Sequence, residues 1–202
     1  YVGGLFGIIT EADLTVENCN NFKDVELYSG SYIGGLFGSL DSCTVVNLSN
    51  LNNYGKINGM DSRYAGGISG EIYLRGISDS VANSFTNLHN FGEIVNSGGN
   101  YVGGIVGYLS GLDGNVAIDK CYNKGDISVK TSSVKIGGII GQENCDVYVT
   151  ETYNIGNINV NSGTATTGGI IGIVANNLKS GKNIYNSGNI DVKCNSTSYE
   201  NR

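Results

Sequence analysis

His89 is the single histidine of the chain, and it limits the chemistry that the sequence can support. Hydrolytic zinc sites need clustered His, Glu or Cys ligands, and the motif H-E-x-x-H does not occur. Acyl-transfer triads fail for the same shortage of a general base. These residues therefore argue against a zinc hydrolase and against a Ser-His-Asp enzyme.

The composition indicates a packed chain with little charge. Of 202 residues, 32 are Gly and none is Pro or Trp, while 40% are hydrophobic and 15% are charged. This supplies apolar surface for a core, so the glycine content does not indicate disorder. The net charge is -6 and the basic residues are scattered singly, which argues against nucleic acid as a partner. Because no run of about 18 apolar residues occurs, we also expect no membrane insertion.

Two short motifs recur six times along the chain. The first, x-[hydrophobic]-G-G-[IL]-x-G, has glycine pairs that begin at residues 3, 34, 66, 103, 137 and 168. The second, N-x-G-x-[IV], follows each copy, with Lys23 replacing its glycine in the first. Its asparagines are Asn21, Asn53, Asn90, Asn123, Asn154 and Asn186. Six paired copies predict tandem structural units of about 31 to 37 residues.

The two arcs of each repeat differ in length variation. From each asparagine to the next glycine pair the distance is 13 or 14 residues, whereas from a glycine pair to its asparagine it varies from 17 to 24. Inserted residues must therefore leave as loops on one face. We expect one repeat domain over residues 1–202, cut from a longer chain with adjoining domains. Its repeats are predicted at about 1–31, 32–63, 64–100, 101–134, 135–165 and 166–202.

The local sequence favours β-strands. Segments such as CTVVNLSN and VAIDKCYN are rich in Val, Ile, Thr and Tyr, and none shows a sustained helical stripe of apolar residues. Each repeat offers three short strands: one around the glycine pair, one running into the asparagine, and one in G-x-I-x-V. We predict an all-β fold, namely a parallel, three-sided β-solenoid of about six coils. We expect it to be right-handed because connections between parallel strands are right-handed. Six coils rising about 4.8 Å each would form a rod roughly 29 Å long.

The asparagine row and the glycine pairs have structural explanations. A turn leaves backbone N–H and C=O groups without strand partners, and a short amide side chain can bond to both. Identical amides stacked in register also bond to one another, so we interpret the six asparagines as a structural ladder. Glycine pairs permit a corner at which residues such as Val102 and Ile105 both face inward. The row predicted to fill the core is Val25, Ile57, Ile94, Ile127, Ile158 and Ile190.

A carbohydrate-active site along one solenoid face is the enzymatic alternative. Polysaccharide lyases and hydrolases on β-helices use carboxylates and basic residues from neighbouring coils. Here one repeat position mixes carboxylates, a lysine and amides: Asp24, Lys56, Glu93, Asp126, Asn157 and Asn189. Asp113, Gly114 and Asn115 lack the spacing of a full calcium loop. We therefore expect no enzyme activity, no metal site and no cofactor.

Five cysteines would suit disulfides in an extracellular protein, but their repeat positions argue otherwise. Cys19 and Cys121 occupy the same position three repeats apart, which separates them by about 14 Å, beyond the roughly 7 Å limit for bridged Cα atoms. Cys43 and Cys145 are also three repeats apart, and Cys194 lies near the end. We predict free cysteines that are buried as small apolar residues.

YVGGIVG with CYNKGDISV, and KIGGIIG with TYNIGNINV, resemble GLUG repeats, a family named for its G-L-[hydrophobic]-G signature. The resemblance extends over all six copies. It implies a place in large secreted or wall-anchored bacterial proteins, including adhesins and the non-catalytic regions of IgA-cleaving metallopeptidases. We therefore expect a non-catalytic extracellular stalk or adhesion module with a host glycan or protein as its partner. An accessory region of a secreted peptidase is a further alternative.

Tyrosine rows and insertions are the candidate surface features. One row precedes the glycine pairs and the other precedes the asparagines: Tyr1, Tyr32, Tyr64 and Tyr101, then Tyr122, Tyr153 and Tyr185. Such rows either stabilise a sheet or form a sugar-stacking or protein-binding stripe. The longest arcs, 71–80 and 108–115, belong to adjacent repeats and should emerge on one side. We predict a ligand-contacting ridge there with Tyr73, Arg75, Tyr108 and Asp113.

Overall fold

The computed structural model describes residues 1–75 and 82–194, with the backbone alone for residues 82 and 112–114. Those residues form 24 β-strands and, within the described ranges, no helix. The strands recur in the same order six times, and each repeat contributes one coil of a β-solenoid. The prediction of an all-β solenoid is therefore confirmed.

Coils 1 to 3 consist of short, separate strands. Coil 1 contains β1 (Val2–Gly3), β2 (Phe6–Thr10), β3 (Asp13–Glu17), β4 (Asn20–Asn21) and β5 (Val25–Leu27). Coil 2 contains β6 (Tyr32–Gly34), β7 (Phe37–Cys43), β8 (Val45–Asn53) and β9 (Ile57–Gly59). Coil 3 contains β10 (Tyr64–Gly66), β11 (Ser69–Leu74), β12 (Ala82–Asn90) and β13 (Ile94–Asn96).

Coils 4 to 6 contain longer strands, two of which pass from one coil into the next. Coil 4 contains β14 (Tyr101–Gly103), β15 (Val106–Asp119) and β16 (Tyr122–Asn123), and β17 (Ile127–Gly137) leads into coil 5. Coil 5 continues with β18 (Ile140–Thr150) and β19 (Tyr153–Asn154), and β20 (Ile158–Gly168) leads into coil 6. Coil 6 continues with β21 (Ile171–Val174), β22 (Asn177–Lys182), β23 (Tyr185–Asn186) and β24 (Ile190–Cys194).

Strands of neighbouring coils pair in parallel and form one ten-stranded and one fourteen-stranded sheet. The register brings the same repeat position together in successive coils. Ile94, for example, pairs with Ile57 on one side and with Ile127 on the other. Each side chain therefore stacks on its counterpart one strand spacing away, about 4.8 Å.

The glycine pair forms the predicted corner, and this corner separates two strands where a single strand around the pair was predicted. In coil 4, β14 ends at Gly103 and β15 begins at Val106. A Cβ on Gly103 would lie 1.9 Å from the carbonyl oxygen of Val106, so a side chain would collide with the turn itself. Val102 and Ile105, on either side of the pair, are both buried because the corner interrupts strand alternation.

The interior contains two apolar clusters. The larger joins side chains from strands after the glycine pair with those from strands leading to the asparagine, such as Leu109 and Val116. The smaller joins strands after the asparagine with strands before the glycine pair, such as Ile127 and Val102. The predicted core row is buried in coils 1 to 5. Ile190 is 43% exposed, since the described residues place no further coil over coil 6.

Candidate functional site

The six asparagines, which recur in every copy of the second motif, lie in one ladder along the rod. Their amide groups are joined by Nδ2–H to Oδ1 hydrogen bonds of 2.7 to 2.8 Å between successive coils. The other Nδ2 hydrogen binds the carbonyl oxygen two residues later, as from Asn90 to Gly92 at 2.8 Å. Asn53, Asn90, Asn123 and Asn154 are fully buried. The ladder is thus a polar column inside the solenoid whose donors are satisfied.

The asparagine of each coil packs against the second glycine of that coil's pair. A Cβ on Gly104 would lie 2.6 Å from Cγ of Asn123 and 2.0 Å from the carbonyl oxygen of Gly138. Gly67 faces Asn90 in the same way. Glycine is required at this position because the asparagine amide occupies the space that a side chain on the glycine would need. The two sequence motifs are therefore halves of one packing unit, a coupling that sequence reasoning missed.

The first tyrosine row is a continuous stack along the rod. Ring centroids of Tyr1, Tyr32, Tyr64 and Tyr101 are 4.5 to 5.2 Å apart, with the planes within 7° of parallel. Lys135 continues the row with its Nζ 4.9 Å from the Tyr101 ring. Burial raises the pKa of Tyr32 to about 12. Because neighbouring rings cover both faces of each inner tyrosine, the outward edges cannot stack on a sugar, and the geometry favours a stabilising role.

A second aromatic strip crosses all six coils. Tyr122, Tyr153 and Tyr185 stack at 5.0 and 4.9 Å. In coils 1 to 3 the strip consists instead of Phe22, Tyr54 and Phe91, one residue after each asparagine, at 5.1 and 4.7 Å. Phe91 meets Tyr122 edge-on at 5.6 Å, which joins the two parts. Sequence reasoning missed the first part, although its fixed offset from the asparagine was a usable signal.

The residues that flank the two insertions occupy matching register positions in adjacent coils. Leu74 pairs with Gly111 before them, and Ala82 pairs with Asn115 after them.

Among the predicted ridge residues, Tyr73 is half-buried and Arg75 is exposed at the base of the insertion. Tyr108 lies apart from the insertion, with its ring 5.0 Å from Tyr101 and 5.7 Å from Tyr64. The side chain of Asp113 and all of residues 76–81 lie outside the described part of the chain.

Glu143 and His89 are ionisable side chains whose environments disfavour the charged form. Glu143 is fully buried and pairs in register with the core residue Leu109. Burial raises the pKa of Glu143, while backbone N–H groups of Cys145 and Asn176 bind its carboxylate and oppose the shift. His89 is half-buried on β12, and burial lowers the pKa of its ring. Its Nδ1 lies 2.9 Å from Oδ1 of Asn52, and its ring stacks on Tyr122 at 3.8 Å.

The five cysteines are free, as predicted. Cys43, Cys121 and Cys145 are buried in the larger apolar cluster, and burial raises the pKa of the Cys121 and Cys145 thiols to about 12. Cys19 is half-buried, and the prediction of burial is wrong for Cys194, which is exposed in coil 6.

Within residues 1–75 and 82–194, no group of three or more His, Cys, Asp or Glu side chains is placed to hold a metal ion. The same ranges contain no helix of the length and apolarity needed to cross a membrane.

The chain shares its fold with a solved bacterial structure. No family model matches the sequence, and no curated protein matches it either. A crystal structure of a "putative immunoglobulin A1 protease" from Bacteroides ovatus superposes with a TM-score of 0.61 at 20% sequence identity, covering 96% of this chain and 74% of that one. At this identity the likeness shows the β-solenoid fold alone. The resemblance to GLUG repeats therefore rests on the motifs.

Proposed function

We propose that the chain is a non-catalytic β-solenoid module of a secreted or surface protein of a bacterium, acting outside the cell as a stalk or adhesion region. The observation that carries the proposal is the buried asparagine ladder. It uses the one polar residue repeated in every coil for internal hydrogen bonding, with Asn123 bonded to Asn90, Asn154 and Gly125. The most regular polar feature of the chain thus holds coils together.

Further support comes from how the coils are stacked. The described strands pair in parallel, and most residues pair with their counterparts in the next coil, so each coil covers the apolar face of the next with matching side chains. Stability in such a rod arises between neighbours, which allows a module of this kind to be extended by adding coils. A spacer that holds adjoining domains away from a cell surface needs this property.

The fold likeness and the motifs fit this role. The Bacteroides ovatus protein carries a protease name, and this chain shares its solenoid fold at 20% identity. The resemblance to GLUG repeats implies that the chain is part of a secreted or wall-anchored bacterial protein. We infer a host glycan or a host protein as the partner of the adhesion form, with no role for nucleic acid.

Binding without turnover is the expected behaviour of the isolated chain. The 202-residue protein would be tested against immobilised glycans and host extracellular proteins, and against soluble polysaccharides assayed for new reducing ends and unsaturated products. Retention on at least one surface without degradation would support an adhesion module, and absence of both would support a stalk. Degradation that scales with protein concentration and is abolished by heat would overturn the proposal in favour of the carbohydrate-active alternative.

Location can be tested separately. Antibodies raised against the chain should label intact cells of the source bacterium, and external protease should remove the signal. Signal that appears only after cells are permeabilised would contradict the extracellular assignment.

A further inference from the structure

A groove of about 490 Å³ runs along the outward face of the strands that follow the asparagine ladder, across coils 3 to 6. Its volume falls in the range of small-ligand sites, roughly 300 to 1,000 Å³. None of its residues belongs to the ridge or the tyrosine rows considered above. The outward side chains that line it are Val95, Ser97, Ser128, Lys130, Asn159, Asn161, Asp191 and Lys193.

Strand register arranges these side chains in two columns. Ser128 pairs with Asn159, and Asn159 with Asp191; two residues later Lys130 pairs with Asn161, and Asn161 with Lys193. Parallel strands lie about 4.8 Å apart, so the groove presents a polar group at that interval along the rod. This repeat is close to the length of one sugar ring in an extended chain.

The groove is a locally basic surface on an acidic protein. Lys130 is exposed and has no ion-pair partner among the described residues, whereas the protein carries a net charge of -6. Lys193 lies 3.5 Å from Asp191, and their side chains are 72% and 60% exposed. Such an exposed pair contributes little and can exchange partners, so Lys193 remains able to bind an anion.

The backbone in the groove offers no bonding groups for an added strand. The groove lies on the outward face of β17, β20 and β24, and the N–H and C=O groups of these strands point along the rod, within the sheet, toward neighbouring strands. The unpaired edge of β24 lies at the end of the rod and not in this face. A peptide that adds to a sheet needs a free edge. A ligand here must instead be recognised by hydroxyl, amide and ammonium side chains.

We propose that this groove binds a linear saccharide that carries carboxylates, such as a chain of uronic acids, lying along the rod. Ser128 and Asn159 donate to and accept from sugar hydroxyls, because hydroxyl and amide groups can do both. Lys130 and Lys193 bind the carboxylates as point charges. The inference rests on the adhesion form of the proposed function and assigns it a ligand class and a site.

Titration of the 202-residue chain with hexagalacturonate at low salt tests the proposal. We expect saturable binding that weakens as salt is raised, and no binding of the fully methyl-esterified hexamer, which keeps the sugars but loses the charges. Lys130→Gln and Lys193→Gln should each weaken binding about two- to fivefold. Lys182→Gln, an exposed lysine on β22 outside the groove, makes the same charge change and should leave binding within about twofold.

The outcomes separate this inference from the function on which it rests. Absence of hexagalacturonate binding, equal binding of the esterified hexamer, or equal weakening by Lys182→Gln would each overturn the groove assignment. If the chain nevertheless binds a surface in the glycan and host-protein experiment, the adhesion function stands and its site lies elsewhere. If the two lysine variants bind hexagalacturonate about two- to fivefold more weakly while their melting temperatures stay unchanged, the assignment is supported directly.

Discussion

Two rows of side chains run side by side along the rod, one residue apart in sequence, and they differ in what they allow. The inner row is the asparagine ladder. The outer row, one residue earlier, holds Asn20, Asn52, His89, Tyr122, Tyr153 and Tyr185. The inner row is the same residue six times, whereas the outer row changes chemistry midway.

The different bonding needs of the two rows explain why the inner row keeps one residue type and the outer row does not. An inner asparagine must satisfy two donors and an acceptor where no water reaches, so a change in one coil leaves groups unpaired in the next. The outer row needs contact only with its neighbour. Asn52 donates to Asn20 at 2.7 Å, His89 bonds to Asn52 and stacks on Tyr122, and stacking continues to Tyr185. Burial thus requires asparagine at every position of the inner row. The more exposed outer row requires only that each side chain can contact its neighbour in the next coil.

The largest effect should come from breaking the inner face with a charge. Ile127→Asp places a carboxylate in the smaller apolar cluster, where no partner exists among the described side chains, and should cost at least about 3 kcal/mol of unfolding free energy. Ser128→Asp on the outward face of the same strand should cost less than about 1 kcal/mol. Urea unfolding followed by circular dichroism measures both. Similar midpoints for the two variants would show that the faces are assigned wrongly.

The two rows can be compared directly at adjacent residues. Asn123→Ala removes hydrogen bonds to Asn90, Asn154 and Gly125, and leaves buried groups unpaired in two neighbouring coils. We expect a loss of about 3 kcal/mol. Tyr122→Ala removes ring contacts on the outer row and should cost about 1 kcal/mol. If the tyrosine variant is the less stable of the two in thermal melts, the ladder is not the main link between coils.

Coverage by a neighbouring coil should decide the cost of a glycine substitution. In Gly38→Ala the new Cβ would lie 2.4 Å from the carbonyl oxygen of Gly7, and we expect a loss of about 2 kcal/mol. In Gly7→Ala, at the same motif position one coil earlier, the nearest atom is 3.4 Å away, and the change should be within about 0.5 kcal/mol. Equal losses would mean that the motif glycine serves backbone conformation and not coil stacking.

The smallest effect should come from exchanging residues within the outer row. Burial holds the pKa of His89 below its usual value, so the unfolded chain binds a proton more readily than the folded one. Stability should therefore fall slightly as the pH drops below about 6.5, the unperturbed histidine pKa. His89→Tyr, which places here the residue found in coils 4 to 6, should remove that step. Melting curves from pH 7.5 to 5 that retain the same step in the variant would assign it to another group.

Repetition made the fold and the ladder predictable. Because identical positions stack in an in-register parallel solenoid, spacing along the chain converts directly into columns in space. That logic also placed the insertions at one point and kept the cysteines apart. It predicted the corner at the glycine pair but not that the corner separates two strands, which follows from contacts such as Gly103 with Val106.

Two departures from the repeat pattern are explained only by how neighbouring coils stack. Lys23 replaces a glycine whose equivalent, Gly55, could not carry a Cβ because one there would lie 1.9 Å from the Lys23 carbonyl oxygen. In coil 1 the described residues place no coil beneath that position, so a side chain fits. Glu143 is a similar case, because one of the two backbone N–H groups that bind its buried carboxylate belongs to Asn176 in the next coil, which the sequence does not bring close.

The sequence by itself determined the repeat unit, the strand class, the inward isoleucine row and the asparagine column, because each follows from residue type and period. Only the tertiary structure decided that the asparagine and the glycine pair of one coil pack together and that the tyrosine rows turn their edges outward. It also decided that a groove lined by valine, serine, amide and lysine side chains spans coils 3 to 6. Those properties depend on side-chain orientation across the coil, between residues about 20 positions apart, and a one-dimensional period carries no information about that direction.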